Sequence, residues 1–144
     1  MRIVADTSTI VSGVLWSGLS HRIIELVEAG ILTLCVTPEI LQEYREVLAR
    51  PKFARKLQDR LTTVEEIMQT LLPHVELYSD APLVSAVQPD PGDNMFLSCA
   101  LSADAEYLVS GDSHLMDLIE FVDIQIVTAR QFLEREFPYL LADQ

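Results

Sequence analysis

The sequence predicts an α/β domain with a mostly parallel central sheet. Short aliphatic and β-branched runs alternate with longer segments of helical periodicity, the pattern left by successive βαβ units. Of the 144 residues, 49% are hydrophobic, enough to fill one core. No stretch has linker composition, so a single domain over residues 1–144 is expected.

Taken in order, Arg2-Ile3-Val4-Ala5 reads as the first strand, and Ser20 to Gly30 as a helix with a glycine stop. Leu32 to Val36 is a second strand. Thr37-Pro38-Glu39 supplies a cap, a proline and an acid to a helix that runs to about Arg50, where Pro51 interrupts it. Residues 52–72 read as helix in two pieces, the second opening at Thr62-Thr63-Val64-Glu65-Glu66. Val75 to Tyr78 alternates as an edge strand, and Ser79 to Gly92 forms the longest loop. A helix starting at Asp93-Asn94, a buried strand at Tyr107-Leu108-Val109 and a short helix near His114 to Ile119 follow. Ile124 to Val127 is the last strand, and Thr128 caps a terminal helix through Phe132 and Leu133.

Cys35 and Cys99 both lie in apolar segments, so they are expected in the core of a reduced, cytoplasmic protein rather than in a disulfide. Asp6 interrupts the opening apolar run where a signal peptide needs continuity, and no run is long enough for a bilayer, so no membrane association is expected. The formal charge of −12 disfavours indiscriminate adhesion to phosphate backbones. Against that acidic body, Arg45, Arg50, Lys52, Arg55, Lys56 and Arg60 make one local stretch basic. On charge alone it reads as a solvated helical surface.

In an open parallel sheet the functional crevice lies at the carboxyl ends of the strands. Here those ends carry acids. Asp6 follows the first strand, Asp112 follows Tyr107-Leu108-Val109, Asp93 opens a helix, and Glu39 and Glu43 share a helical face four residues apart. Taken singly, each acid reads as a helix cap or first-turn residue. Taken together, converging carboxylates without compensating bases read as a site for a hard divalent cation, Mg²⁺ or Mn²⁺. Asp90 and Asp117 read as helix-start or loop acids.

Other chemistries lack their residues. A phosphoaspartate-forming phosphatase wants a second Asp where this chain has Ser8, and it and a receiver domain both want a late lysine, yet Lys52 and Lys56 are the only lysines. No G-x-G-x-x-G or P-loop cradles a nucleotide phosphate. His21, His74 and His114 have no metal-ligand spacing, although His114 lies near Asp112 in sequence.

The series of motifs resembles the PIN-domain family over nearly the whole chain. Asp6-Thr7-Ser8-Thr9-Ile10-Val11-Ser12 resembles its first motif, and Pro38-Glu39-Ile40-Leu41-Gln42-Glu43-Tyr44 the helix that brings its glutamate, with Glu43 at the matching position. Asp90-Pro91-Gly92-Asp93-Asn94-Met95-Phe96-Leu97 and Tyr107-Leu108-Val109-Ser110-Gly111-Asp112 resemble the remaining acidic motifs in the right order. Within that family the sequence resembles the VapC-like toxin component of prokaryotic toxin-antitoxin systems.

The resemblance implies a three-layer α/β/α domain and an endoribonuclease dependent on Mg²⁺ or Mn²⁺. It assigns Asp6, Glu43, Asp93 and Asp112 as catalytic metal ligands, with Ser8, Asn94 and Ser110 as supporting hydrogen-bonding groups. Ser8 stands where the family often has Asn, and its hydroxyl retains hydrogen-bonding capacity. Arg45, Arg50, Lys52, Arg55 and Lys56 acquire a second reading as a rim that guides RNA backbone. An antitoxin partner and a homodimer are also implied. Trp16, Phe137 and Tyr139 are candidate partner contacts, with ordinary packing as the alternative. Two other functions stay open from the residues: a non-catalytic PIN-like RNA- or protein-binding module, and a phosphohydrolase acting on small molecules with the same cations.

Overall fold

A computed structural model describes residues 1–79, 91–111, 120–121 and 123–141, with the backbone alone for 91–94 and 120–121. Strand β1 (Arg2–Ala5) leads into helices α1 (Thr7–Leu15) and α2 (Leu19–Glu28), then β2 (Thr33–Val36). The second crossover holds α3 (Pro38–Leu48), a 3₁₀ turn at Pro51–Phe53, α4 (Ala54–Asp59), α5 (Val64–Leu71), a 3₁₀ turn at Leu72–His74, and β3 (Val75–Leu77). Then come α6 (Pro91–Ala103), β4 (Tyr107–Val109), β5 (Glu120–Phe121), β6 (Ile124–Val127), α7 (Ala129–Glu136) and a 3₁₀ turn at Pro138–Leu141.

The sheet order is β3-β2-β1-β4-β6-β5. Its first five strands are parallel, and β5 adds an antiparallel edge through Glu120↔Gln125 and Phe121↔Ile124. β1 sits between β2 and β4, with Ile3 opposite both Leu34 and Tyr107 and Ala5 opposite Val109. Ile3, Val4, Ala5, Leu108 and Val109 are fully enclosed, which is why these central strands read as unbroken apolar runs. The chain steps from β1 to β2 to β3 in one direction and returns past β1 to place β4 on its other side. With right-handed crossovers, that reversal puts α6 on the face opposite α1 and α3, giving three layers. α6 packs on β1, β2 and β4, and α7 packs on β4 and β6 and touches α2.

Local sequence explains most boundaries. The side chains of Thr37, Thr63 and Thr128 accept from Ile40 N, Glu66 N and Gln131 N, capping α3, α5 and α7. Thr128 and Gln131 form a full capping box. Gly30, at φ +78°, ends α2 in the left-handed region that favours glycine.

Three expectations need correction. Helix α1 occupies a segment read as motif rather than helix. α6 starts at Pro91 and not at Asp93, because the first helical position needs no donor and suits proline's fixed φ. β5 and the 3₁₀ turns were not expected, being too short to set up a periodic pattern. Most of the expected loop after Ser79, and all of the helix expected near His114 to Ile119, lie outside the described residues.

Candidate active site

The strand order reverses direction between β1 and β4, and at such a point the loops leaving adjacent strands diverge and open a crevice. Asp6 stands at that position. Its N–H continues the ladder to Val109 O at 3.0 Å, and Ser110 N bonds Val127 O at 2.8 Å, so both post-strand residues are fixed by the sheet. Asp6 is also the N-cap of α1, and only 5% of its surface is exposed.

Four donors from two segments hold the Asp6 carboxylate. Oδ1 accepts from Thr9 N at 2.9 Å and from the Ser8 hydroxyl at 3.1 Å. Oδ2 accepts from the Ser110 hydroxyl at 2.6 Å and from Gly111 N at 3.3 Å. All four are uncharged. The ion pairs among the described residues are Arg2–Glu76, Arg22–Glu25 and Arg45–Glu65, so no basic side chain there is paired with Asp6 or Glu43.

Glu43, half-buried on α3, accepts a hydrogen bond from the Thr7 hydroxyl. Thr7 adjoins Asp6, so α1 carries one carboxylate as its cap and fixes the second through its first residue. Tyr44, the next residue on α3, is fully buried and donates from its phenol to Ala5 O at 2.6 Å. Burial, with Asp6 and Glu43 nearby, pushes this phenol well above its ordinary value, so it remains a donor. Two consecutive side chains therefore tie α3 to the start of α1 and to the end of β1.

The structure thus brings together Asp6, Ser8, Ser110 and, through Thr7, Glu43. Glu39, expected on the same face as Glu43, is exposed in the first turn of α3, where it complements the helix dipole. Asp93 lies in the first turn of α6, and the β3-α6-β4 crossover puts that turn at the carboxyl edge of the sheet, the edge that holds Asp6. The side chains of Asp93 and Asn94, and Asp90, Asp112, His114 and Asp117 altogether, lie outside the described residues. The described chain runs up to Gly111, the residue before Asp112. Sequence reasoning gave no role to Thr7, Gly111 or Tyr44. Thr7 and Gly111 stood inside the quoted motifs, but their partners are distant in sequence.

Residues 2–114 match the PIN domain family, a span that holds β1 to β4 and every acid of the proposed ligand set. The chain belongs to the PIN domain family. No curated protein matches it. PIN domains are in general nucleases, that is hydrolases, and usually use divalent metals. The donors here fit such an ion in kind: Asp6 and Glu43 offer oxygen only, the chemistry of hard cations, and the buried charge of Asp6 has no basic partner among the described residues. Among the described residues no three His, Cys, Asp or Glu side chains converge.

The basic stretch begins in the last turn of α3 and runs through α4. Arg45 is bonded to Glu65, and Arg60 donates from Nε to Leu15 O at 3.0 Å. Arg50 and Arg55 are exposed, as is Lys52, while Lys56 is half-buried. Cys35 and Cys99 are buried free thiols, as expected. His21 donates from Nδ1 to Gly13 O at 2.8 Å, a bond between α2 and α1. Phe137 is buried against Phe132, whereas Trp16 and Tyr139 are 43% and 64% exposed. No single helix among the described residues is long and apolar enough to cross a membrane.

Proposed function

We propose that this PIN domain is an endoribonuclease dependent on Mg²⁺ or Mn²⁺, acting in the cytoplasm as the toxin of a toxin-antitoxin pair. The observation that carries the reading is the buried Asp6 carboxylate at the strand-order reversal, whose donors among the described residues are all uncharged. Asp6, Glu43, Asp93 and Asp112 would hold the cation, which when bound polarises the phosphodiester and activates water. Ser8 and Ser110 fix the rotamer of Asp6, Thr7 fixes Glu43, and Asn94 would be a further supporting hydrogen-bonding group. An antitoxin that covers the acidic crevice, and a homodimer, belong to the same proposal.

One observation favours a second reading, a non-catalytic binding module. Asp6 is a complete N-cap, and its four acceptor sites all have donors, so it has a structural role in its own right. Asp6→Asn separates the two readings, because Asn caps a helix as well as Asp does but lacks the charge. Cleavage of structured RNA, single-stranded RNA and single-stranded DNA is measured with Mn²⁺, Mg²⁺ or EDTA. The nuclease reading expects cutting of RNA that both EDTA and Asp6→Asn abolish, assayed well below the variant's lowered thermal midpoint, since the amide NH₂ cannot accept from Ser110 and Gly111 as Oδ2 does. It also expects Mn²⁺ to raise the midpoint of the wild type and not of the variant. RNA left intact by the wild type in every metal, with no shift in midpoint, would overturn the nuclease reading and favour the binding module.

A further inference from the structure

The last residue of α1 leads directly into Trp16, whose indole is 43% exposed although large aromatic rings are ordinarily buried. Phe53 meets the indole edge-on, with ring centroids 6.1 Å apart and planes at 73°. Lys56 Nζ lies over the indole, 5.3 Å from a ring centroid, and Lys52 Nζ lies 5.1 Å from the centroid of Phe53. Arg50, Arg55 and Arg60 share this segment, so five of the chain's ten basic residues lie between positions 50 and 60. The bond from Arg60 Nε to Leu15 O fastens the end of α4 to the end of α1 and holds the two halves of the patch together.

An exposed ring amid lysines, on a protein of net charge −12, is a poor general surface and a specific one for a polyanion with flat aromatic units. We infer that Trp16 is a stacking platform for an unpaired base of single-stranded RNA, with Lys56 and Lys52 on the adjoining phosphates. Paired bases keep their faces stacked inside the helix and cannot reach the ring, which gives the site a preference for single strands. Trp16 and Asp6 cap opposite ends of α1, whose nine residues span about 14 Å. The strand is therefore gripped one helix length from the carboxylate, beyond the reach of a mononucleotide or a small phosphoester. The inference rests on the nuclease reading for its choice of RNA, but binding at Trp16 is measurable without cleavage.

Trp16 is the only tryptophan, so its fluorescence reports this site alone. The full chain is titrated in EDTA with a short single-stranded oligoribonucleotide and with its duplex. Saturable quenching by the single strand and little by the duplex is expected. With a labelled oligonucleotide, Trp16→Ala weakens binding by about 5- to 100-fold and Trp16→Phe restores most of it. Lys56→Gln lowers the slope of log K against log salt by about 0.7, the share of one single-strand phosphate. Binding of the labelled strand with unchanged Trp16 fluorescence, or equal quenching by the duplex, overturns the platform even where cleavage is seen. Quenching that is normal in a protein that cuts no RNA supports the platform and sinks the nuclease reading instead.

Discussion

Asp6 is held by hydroxyls as well as by backbone, and the two kinds of donor can be separated by mutation. Thr9 N and Gly111 N are fixed by the fold, whereas Ser110, 1% exposed, can be truncated to Ala with little change of shape. Removing the 2.6 Å bond to a buried carboxylate costs about 1.5–3 kcal/mol of stability. If Asp6 holds a cation, the loosened rotamer also lowers RNA cleavage by about 10–100-fold, the usual effect of removing a group that orients a ligand. Ser110→Ala is expected to show both in chemical denaturation and in cleavage assayed well below the midpoint. Full activity with the stability loss would confine Ser110 to a structural role. At this scale the sequence was legible wherever a residue type has few uses. An Asp straight after a buried strand is informative because an unpaired charge is costly there. The bond from Thr7 to Glu43 was not legible, since it joins residues 36 positions apart and a threonine hydroxyl has many possible partners.

Helix α1 shows why one element escaped the sequence reading. Thr7, Thr9, Ile10 and Val11 are β-branched, and Gly13 lies in its interior, all weak helix formers. Its packing against α2 and α3 overrides that preference, and Asp6 starts it. By contrast α3, α5 and α7 were readable because a cap preceded a clear apolar period. Gly13 is where α1 and α2 meet. A Cβ built there would lie 2.7 Å from Ile24 Cγ1 and 2.8 Å from Ser20 O, and the second contact is backbone that cannot rotate away. Elsewhere in a helix Gly→Ala gains up to about 1 kcal/mol, but Gly13→Ala is expected to lose about 1–3 kcal/mol through overpacking. Urea denaturation decides the sign. A stabilised variant would mean that α2 shifts freely, and that the crossing is looser than these distances require.

At the scale of the molecule, βαβ alternation made parallel strands legible but not their neighbours, because strand order depends on pairings between distant segments. The order matters to function, since the reversal beside β1 is what turns Asp6 and Ser110 toward one crevice. It also encloses two thiols, Cys35 on β2 and Cys99 on α6. Burial pushes both up from 9.0 to about 12. In the folded chain each thiol keeps its proton up to about pH 12, whereas in the unfolded chain it ionises above about pH 9. Between those values the unfolded state binds fewer protons, so stability falls as pH rises, by about 1.4 kcal/mol per pH unit for each thiol. Tyr44 adds to the fall above its ordinary value of 10.0, because burial holds its phenol protonated as well. The urea midpoint is therefore expected to decline once pH passes about 9, and more gently in Cys99→Ala, where one of the two thiols is gone. A decline as steep in that variant as in the wild type would place the alkaline weakness elsewhere. A thiol reagent supplies the independent check: in native protein at mild pH it reacts no faster than the chain opens, because both sulfurs lie inside the layers that the strand order closes.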